Sequence, residues 1–142
     1  MTTTLPITLT TAAACALIAV WLGMRISRMR RAGRVSIGDG GYERLAARMR
    51  AQLNFAEYVP VMLILIGLIE LAHGTSLALW VAAALLLLAR VLHHIGMDGW
   101  MPGRVAGAAL TYLLLLGLAG WAVAIPYLTL RAPTVLQIVN AA

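Results

Sequence analysis

Apolar and polar positions are not interleaved along this chain; they come in blocks. Four apolar runs, at residues 5–24, 53–71, 77–92 and 105–125, are separated by one long polar segment and two short ones. About twenty residues at 1.5 Å each cross the roughly 30 Å hydrocarbon core of a bilayer, so each run predicts a membrane-spanning helix. None alternates with a period of two, which rejects a transmembrane barrel, and lipid admits no other open structure. The predicted fold class is an all-α membrane protein, a four-transmembrane-helix bundle. With no repeat and no linker, residues 1–142 read as a single domain.

Punctuation refines the elements. Residues 2–4 are threonines placed to cap the first helix. The stretch Ser36-Ile37-Gly38-Asp39-Gly40-Gly41 predicts a flexible turn with helix on both sides. Pro60 predicts a kink in the second span. His73-Gly74-Thr75-Ser76 is a short turn, and residues 96–103 form a tight one. Pro126 is expected to end the fourth span, leaving 129–142 as a tail with a short interfacial helix.

Composition agrees with the blocks. The chain is 62% hydrophobic and 11% charged, whereas soluble domains carry about 25% charged residues. The net charge is +6 and every basic side chain is arginine. Arg25, Arg28, Arg30, Arg31, Arg34, Arg44, Arg48 and Arg50 crowd the first polar segment against Asp39 and Glu43 alone. By the positive-inside rule this loop is cytoplasmic and both termini lie outside. Juxtamembrane arginine answers to topology and anionic lipid, so no nucleic-acid partner is expected. The positive charge follows the first span, as in a retained helix and unlike a signal peptide. Trp21, Trp80 and Trp121 fall at interface depths. Cys15 is the one cysteine; it lies in an apolar run and reads as a packing residue. The expected location is the inner membrane of a bacterium.

Candidate chemistry gathers at the start of the second span. Arg50, Asn54 and Glu57 stand at i, i+4 and i+7 and share one helix face. A charge inside a bilayer costs roughly 2.5–3.5 kcal/mol on insertion scales, so such a row needs partners. These are either neighbouring helices in a polar cluster or a polar ligand. Arg30, Arg31, Arg50, Arg90 and Arg104 all fall toward the cytoplasmic half, with Glu57 deeper. A basic vestibule with one carboxylate suits a small ligand bearing two carboxylates and an amine. Arg25, Arg28 and Arg44 read as topology signals only.

Arg50-Ala51-Gln52-x-Asn54-x-x-Glu57-Tyr58-x-Pro60 resembles the second-helix signature of the MAPEG family, membrane-associated proteins of eicosanoid and glutathione metabolism. Arg30-Arg31-Ala32-x-Arg34-Val35-Ser36 resembles the family's first loop, and Ala89-Arg90 and Arg104 fall where its third- and fourth-helix arginines stand. The likeness is greatest to its leukotriene synthases and microsomal glutathione transferases. It implies a homotrimer with a glutathione site between protomers. It implies that Arg50, Asn54, Glu57 and Tyr58 of one protomer grip glutathione, and that Arg30 and Gln52 reach it from the next. Arg90 and His93 join the binding set, and Arg104 sits beside the sulfur as the catalytic cation. Glutathione is the implied co-substrate. A small apolar electrophile is implied to arrive from the bilayer along a groove between spans one and four. His93 and Met97 replace tyrosines that line the site in leukotriene-synthesising members, so leukotriene synthesis itself is not expected.

The functional expectation is a glutathione transferase-like enzyme in which an arginine stabilises the thiolate for attack on an electrophile or a lipid hydroperoxide. The alternatives are a non-catalytic lipid-binding or scaffold member of the same fold, and a small transporter using Arg50 and Glu57 as a pathway. No metal is expected: His93 and His94 point about 100° apart on a helix, and Glu70 with His73 reads as a solvated pair. His94 and Asp98 are expected to pair across the end of span three.

Overall fold

The computed structural model describes residues 4–131. It contains four helices: α1 (Pro6–Gly33), α2 (Glu43–His73), α3 (Leu77–Gly96) and α4 (Met101–Arg131). All four are long and apolar enough to cross a membrane. The protein is an integral, multi-pass, all-α membrane protein.

The helices overrun the apolar runs at the arginine-rich end. Arginine is a good helix former, so α1 continues through Arg30 and Arg31 and α2 starts ten residues ahead of its apolar run. α1 stops where Arg34 turns into the left-handed region (φ 53°), and the Val35 amide donates to the Arg30 carbonyl at 2.9 Å. At the other end α4 does not stop at Pro126 but runs through it to Arg131. A proline forfeits one backbone bond, whereas unwinding the flanking segment in an apolar medium would strand many. Pro60 likewise sits inside a continuous α2. The tail expected at 129–142 lies mostly outside the described residues.

The start of α1 corrects two expectations. Its N-cap residue is Leu5, whose side chain caps nothing, and Pro6 follows with no N–H to satisfy. The next amides go to α2: Ile7 and Thr8 donate to the Glu70 carboxylate at 2.9 and 2.8 Å. The hydroxyls of Thr8 and Thr75 add bonds of 2.7 and 3.2 Å. Glu70 is therefore not solvated but 2% exposed. A carboxylate at a helix N-terminus satisfies orphan amides and complements the dipole.

α2 touches all three other helices, α3 and α4 make the most extensive pairing, and α1 and α4 do not meet. Two glycines bring α3 and α4 together. A Cβ on Gly96 would lie 2.6 Å from Arg104 Cα, and one on Gly107 would lie 2.7 Å from the Ala89 carbonyl oxygen. Ile7, Leu22, Met62, Ile66, Leu79, Leu86 and Leu118 fill the middle. Leu17, Ile64, Leu68, Leu113 and Leu116 face outward, as the bilayer-facing side of a spanning helix does.

Asp98, in the α3–α4 turn, clasps the arginine-rich end. It accepts from Arg48 of α2 at 2.9 Å and from Arg25 of α1. The expected His94–Asp98 pair does not form. Asp98 lies past the end of α3 and takes two guanidinium partners. His94 is fully buried, its ring nitrogens meeting the carbonyls of Ala51 (3.1 Å) and Arg90. Arg25, read from sequence as a topology signal, is thus half of a structural clasp; it also lies 4.7 Å over the Trp21 ring.

Candidate functional site

The polar face of α2 is divided between two directions. Asn54 turns inward, and its side-chain oxygen accepts from Arg90 Nη1 at 3.0 Å. Arg90 is fully buried, and its Nε and Nη2 find no acceptor among the described residues. Arg50 and Glu57 turn outward and approach each other at 4.0 Å, both well exposed. A guanidinium with two unanswered nitrogens inside an apolar bundle is costly unless something anionic or polar faces it.

Beside Arg90 lies a groove of about 500 Å³ formed by α2, α3 and α4. Arg50 and Asn54 line it from α2, His93 and Met97 from the end of α3, and Arg104 and Tyr112 from α4. Ala108 and Ala109 leave its middle open. His93 Nδ1 stands 3.4 Å from the Arg104 carbonyl oxygen. The close approach at Gly96 and Gly107 sets that spacing, so two glycines decide where the Arg104 backbone stands.

A second groove, of about 970 Å³, opens between α1, the 34–42 loop and α2. Arg30, Asp39, Met49, Arg50 and Gln52 are among its walls. Arg30 is held there by the Ser36 carbonyl (3.2 Å) and the Met49 sulfur (3.6 Å), while its Nε is buried without a partner among the described residues. Arg50 lines both grooves.

The residues singled out from sequence are thus sorted by the fold. Arg50, Asn54, His93 and Arg104 share one groove with Arg90 behind Asn54; Arg30 and Gln52 line the other; Glu57 and Tyr58 line neither. Tyr58 instead meets a residue that sequence reasoning missed. Its hydroxyl lies 3.2 Å from that of Tyr112, with the rings edge to face at 5.6 Å. The signal for Tyr112 was present: it stands eight residues after Arg104, on the same face of α4. Among the described residues, no three His, Cys, Asp or Glu side chains gather to hold a metal.

With this geometry in hand, comparison with known families is informative. The model of the MAPEG family matches residues 8–124. The chain belongs to the MAPEG family. Inner membrane protein YecN of Escherichia coli strain K12 is 28% identical over 102 residues, covering 71% of this chain and 78% of YecN. Its counterpart in E. coli strain CFT073 matches with the same identity and coverage. The match to the MAPEG model takes in both grooves and all four helices.

Proposed function

We propose that this MAPEG protein is a membrane glutathione S-transferase-like enzyme, working as a homotrimer in a bacterial inner membrane with its arginine-rich end in the cytoplasm. The observation that carries this reading is the α2–α3–α4 groove. Two guanidinium groups, Arg50 and Arg104, line it together with an amide and an imidazole, and an under-bonded Arg90 stands behind the amide. Arginine takes carboxylates in a forked geometry, and glutathione offers two. Glu57 lies outside the groove but 4.0 Å from the Arg50 guanidinium at its wall, within reach of the ligand's ammonium.

Arg30 and Gln52 lie in the other groove of the protomer. A site that uses both sets is completed where one protomer's first groove meets its neighbour's second. The electrophile then arrives from the bilayer between α1 of one protomer and α4 of the next, since the two do not meet within one chain. In the reaction, the thiol sulfur lies against Arg104. A nearby cation lowers a thiol pKa from about 8.5 toward neutrality, and the thiolate is the attacking species. The protein's part is to place the charge and exclude water, with no separate base.

The test is glutathione binding to detergent-purified protein, followed by ultraviolet absorbance of the thiolate, with Arg104→Ala alongside. A thiolate signal near neutral pH, lost in the variant, is the expected result. Binding without a thiolate would make this a non-catalytic member of the family. Absence of binding would leave Arg50, Asn54 and Arg90 as an interhelical cluster.

A further inference from the structure

The bundle is two hairpins with a seam between them. α1 packs on α2 and α3 on α4, each more closely than the helices pack across the pairs. The α2–α3–α4 groove runs along that seam, with Arg50 on the α2 side and Arg104 on the α4 side. Lipid tails are as apolar as the helices, so no hydrophobic force closes the seam inside a bilayer; packing and polar ties must hold it. At the arginine-rich mouth the tie is Asp98. Its two oxygens take Arg48 Nε of α2 at 2.9 Å and Arg25 of α1. All three side chains are partly buried, where an ion pair weighs more than at a free surface. Asp98 also belongs to the same stiff stretch as Arg104. Its amide donates to the Ile95 carbonyl at 3.0 Å, the Gly99 amide to Gly96 at 3.1 Å, and the Arg104 amide to Trp100 at 3.2 Å. The Arg104 backbone rests directly on Gly96 at the end of α3. Whatever moves Asp98 moves Arg104.

We infer that Asp98 is a positioning residue for the reaction: its clasp on Arg25 and Arg48 fixes how far Arg104 stands from Arg50 across the groove. This rests on the glutathione reading above and adds what holds the cation at the sulfur. Asp98 itself stands outside the groove lining, so it acts through Arg104 and not on the ligand. Without it, Arg25 and Arg48 keep like charges with nothing between them and repel. The α3–α4 turn is then free to swing away from α1 and α2, and Arg104 goes with it. Attraction between cation and thiolate falls with separation, so a displaced guanidinium leaves the thiol nearer its ordinary pKa.

The experiment measures the pKa of glutathione bound to the purified full-length protein, from thiolate absorbance against pH. It compares wild type with Asp98→Asn, Asp98→Glu and the charge-conserving double variant Arg25→Lys/Arg48→Lys. The sign separates two causes. Removing a negative charge by itself favours the thiolate and lowers the pKa, whereas displacing Arg104 raises it. Asp98→Asn is expected to raise the pKa by about one pH unit, which makes the thiolate fraction roughly tenfold lower at a pH below both values. The double lysine variant keeps every charge but loosens the geometry, and should move the same way by less. Asp98→Glu keeps the carboxylate and should recover most of the wild-type value. In an Arg104→Ala background, Asp98→Asn should raise the pKa no further. A pKa unchanged or lowered in Asp98→Asn overturns the positioning role and leaves the glutathione reading standing; the double lysine variant decides if Asp98→Asn does not fold. A rise that persists without Arg104 overturns it equally. A wild-type protein that forms no thiolate overturns both.

Discussion

Arg90 is the residue on which the interior electrostatics turn. It is fully buried, and its hydrogen bond to Asn54 is the one side-chain bond it has among the described residues. Its two other interior nitrogens have no acceptor, so removing Asn54 leaves the cation with nothing from the protein. A hydrogen bond to a charged group is worth roughly 1.5–3 kcal/mol, and losing the acceptor exposes that cost. Asn54→Leu is therefore expected to lower stability in detergent by about that amount in a thermal or denaturant melt. If glutathione sits in the groove, adding it should recover less of the loss than it adds to wild type. Asn54→Asp, which keeps an acceptor and adds charge, should be tolerated.

At the scale of elements, the most specific feature is the cap that α2 lends to α1. Glu70 satisfies two orphan amides and two hydroxyls near the end of the bundle. Helix α1 has no cap of its own, so Glu70→Ala should fray its first turn. Capping losses and charge-assisted bonds together predict a destabilisation of about 2 kcal/mol or more. Hydrogen exchange should rise at Ile7 and Thr8 and little elsewhere. Glu70→Gln keeps an acceptor oxygen and should lose less. Equal protection of α1 in all three proteins would show that its packing, not the carboxylate, holds the N-terminus.

At the scale of the whole molecule, charge sets direction. The 34–42 loop and the α3–α4 turn share one end of the bundle, tied by Asp98 to Arg25 and Arg48, and the arginines crowd there. The α2–α3 turn lies at the other end. The positive-inside rule predicts that this arginine-rich end faces the cytoplasm, the orientation proposed above. In a Cys15→Ser background, a cysteine at Ser36 should react with a membrane-impermeant maleimide only from the cytoplasmic side. A cysteine at His73 should react only from the opposite side. The reverse pattern would invert the orientation and put the proposed site on the wrong face for cytoplasmic glutathione.

Four spanning helices, the polar loop between the first two and the polar row on α2 were legible because each is a local property of the chain. Length against bilayer thickness, the absence of alternation and i, i+4 spacing need no knowledge of neighbours. The family likeness of Arg50 to Pro60 was legible for the same reason. What the sequence left undecided was which groups meet across the bundle. Glu70 read as solvated because, Thr75 apart, the groups that use its carboxylate are far off in the chain; the amides it caps belong to a helix more than sixty residues away. His94 and Asp98 looked like a pair by spacing, yet packing buried one and gave the other two arginines. Tyr112 drew no notice as one aromatic in an apolar run, and only the approach of α2 to α4 gave its hydroxyl a partner. The sequence by itself determined the spans and the inventory of polar groups, because those follow from periodicity and transfer cost. The tertiary structure alone decided how that inventory was shared between two grooves, because helix crossings set by Gly96 and Gly107 choose which side chains converge.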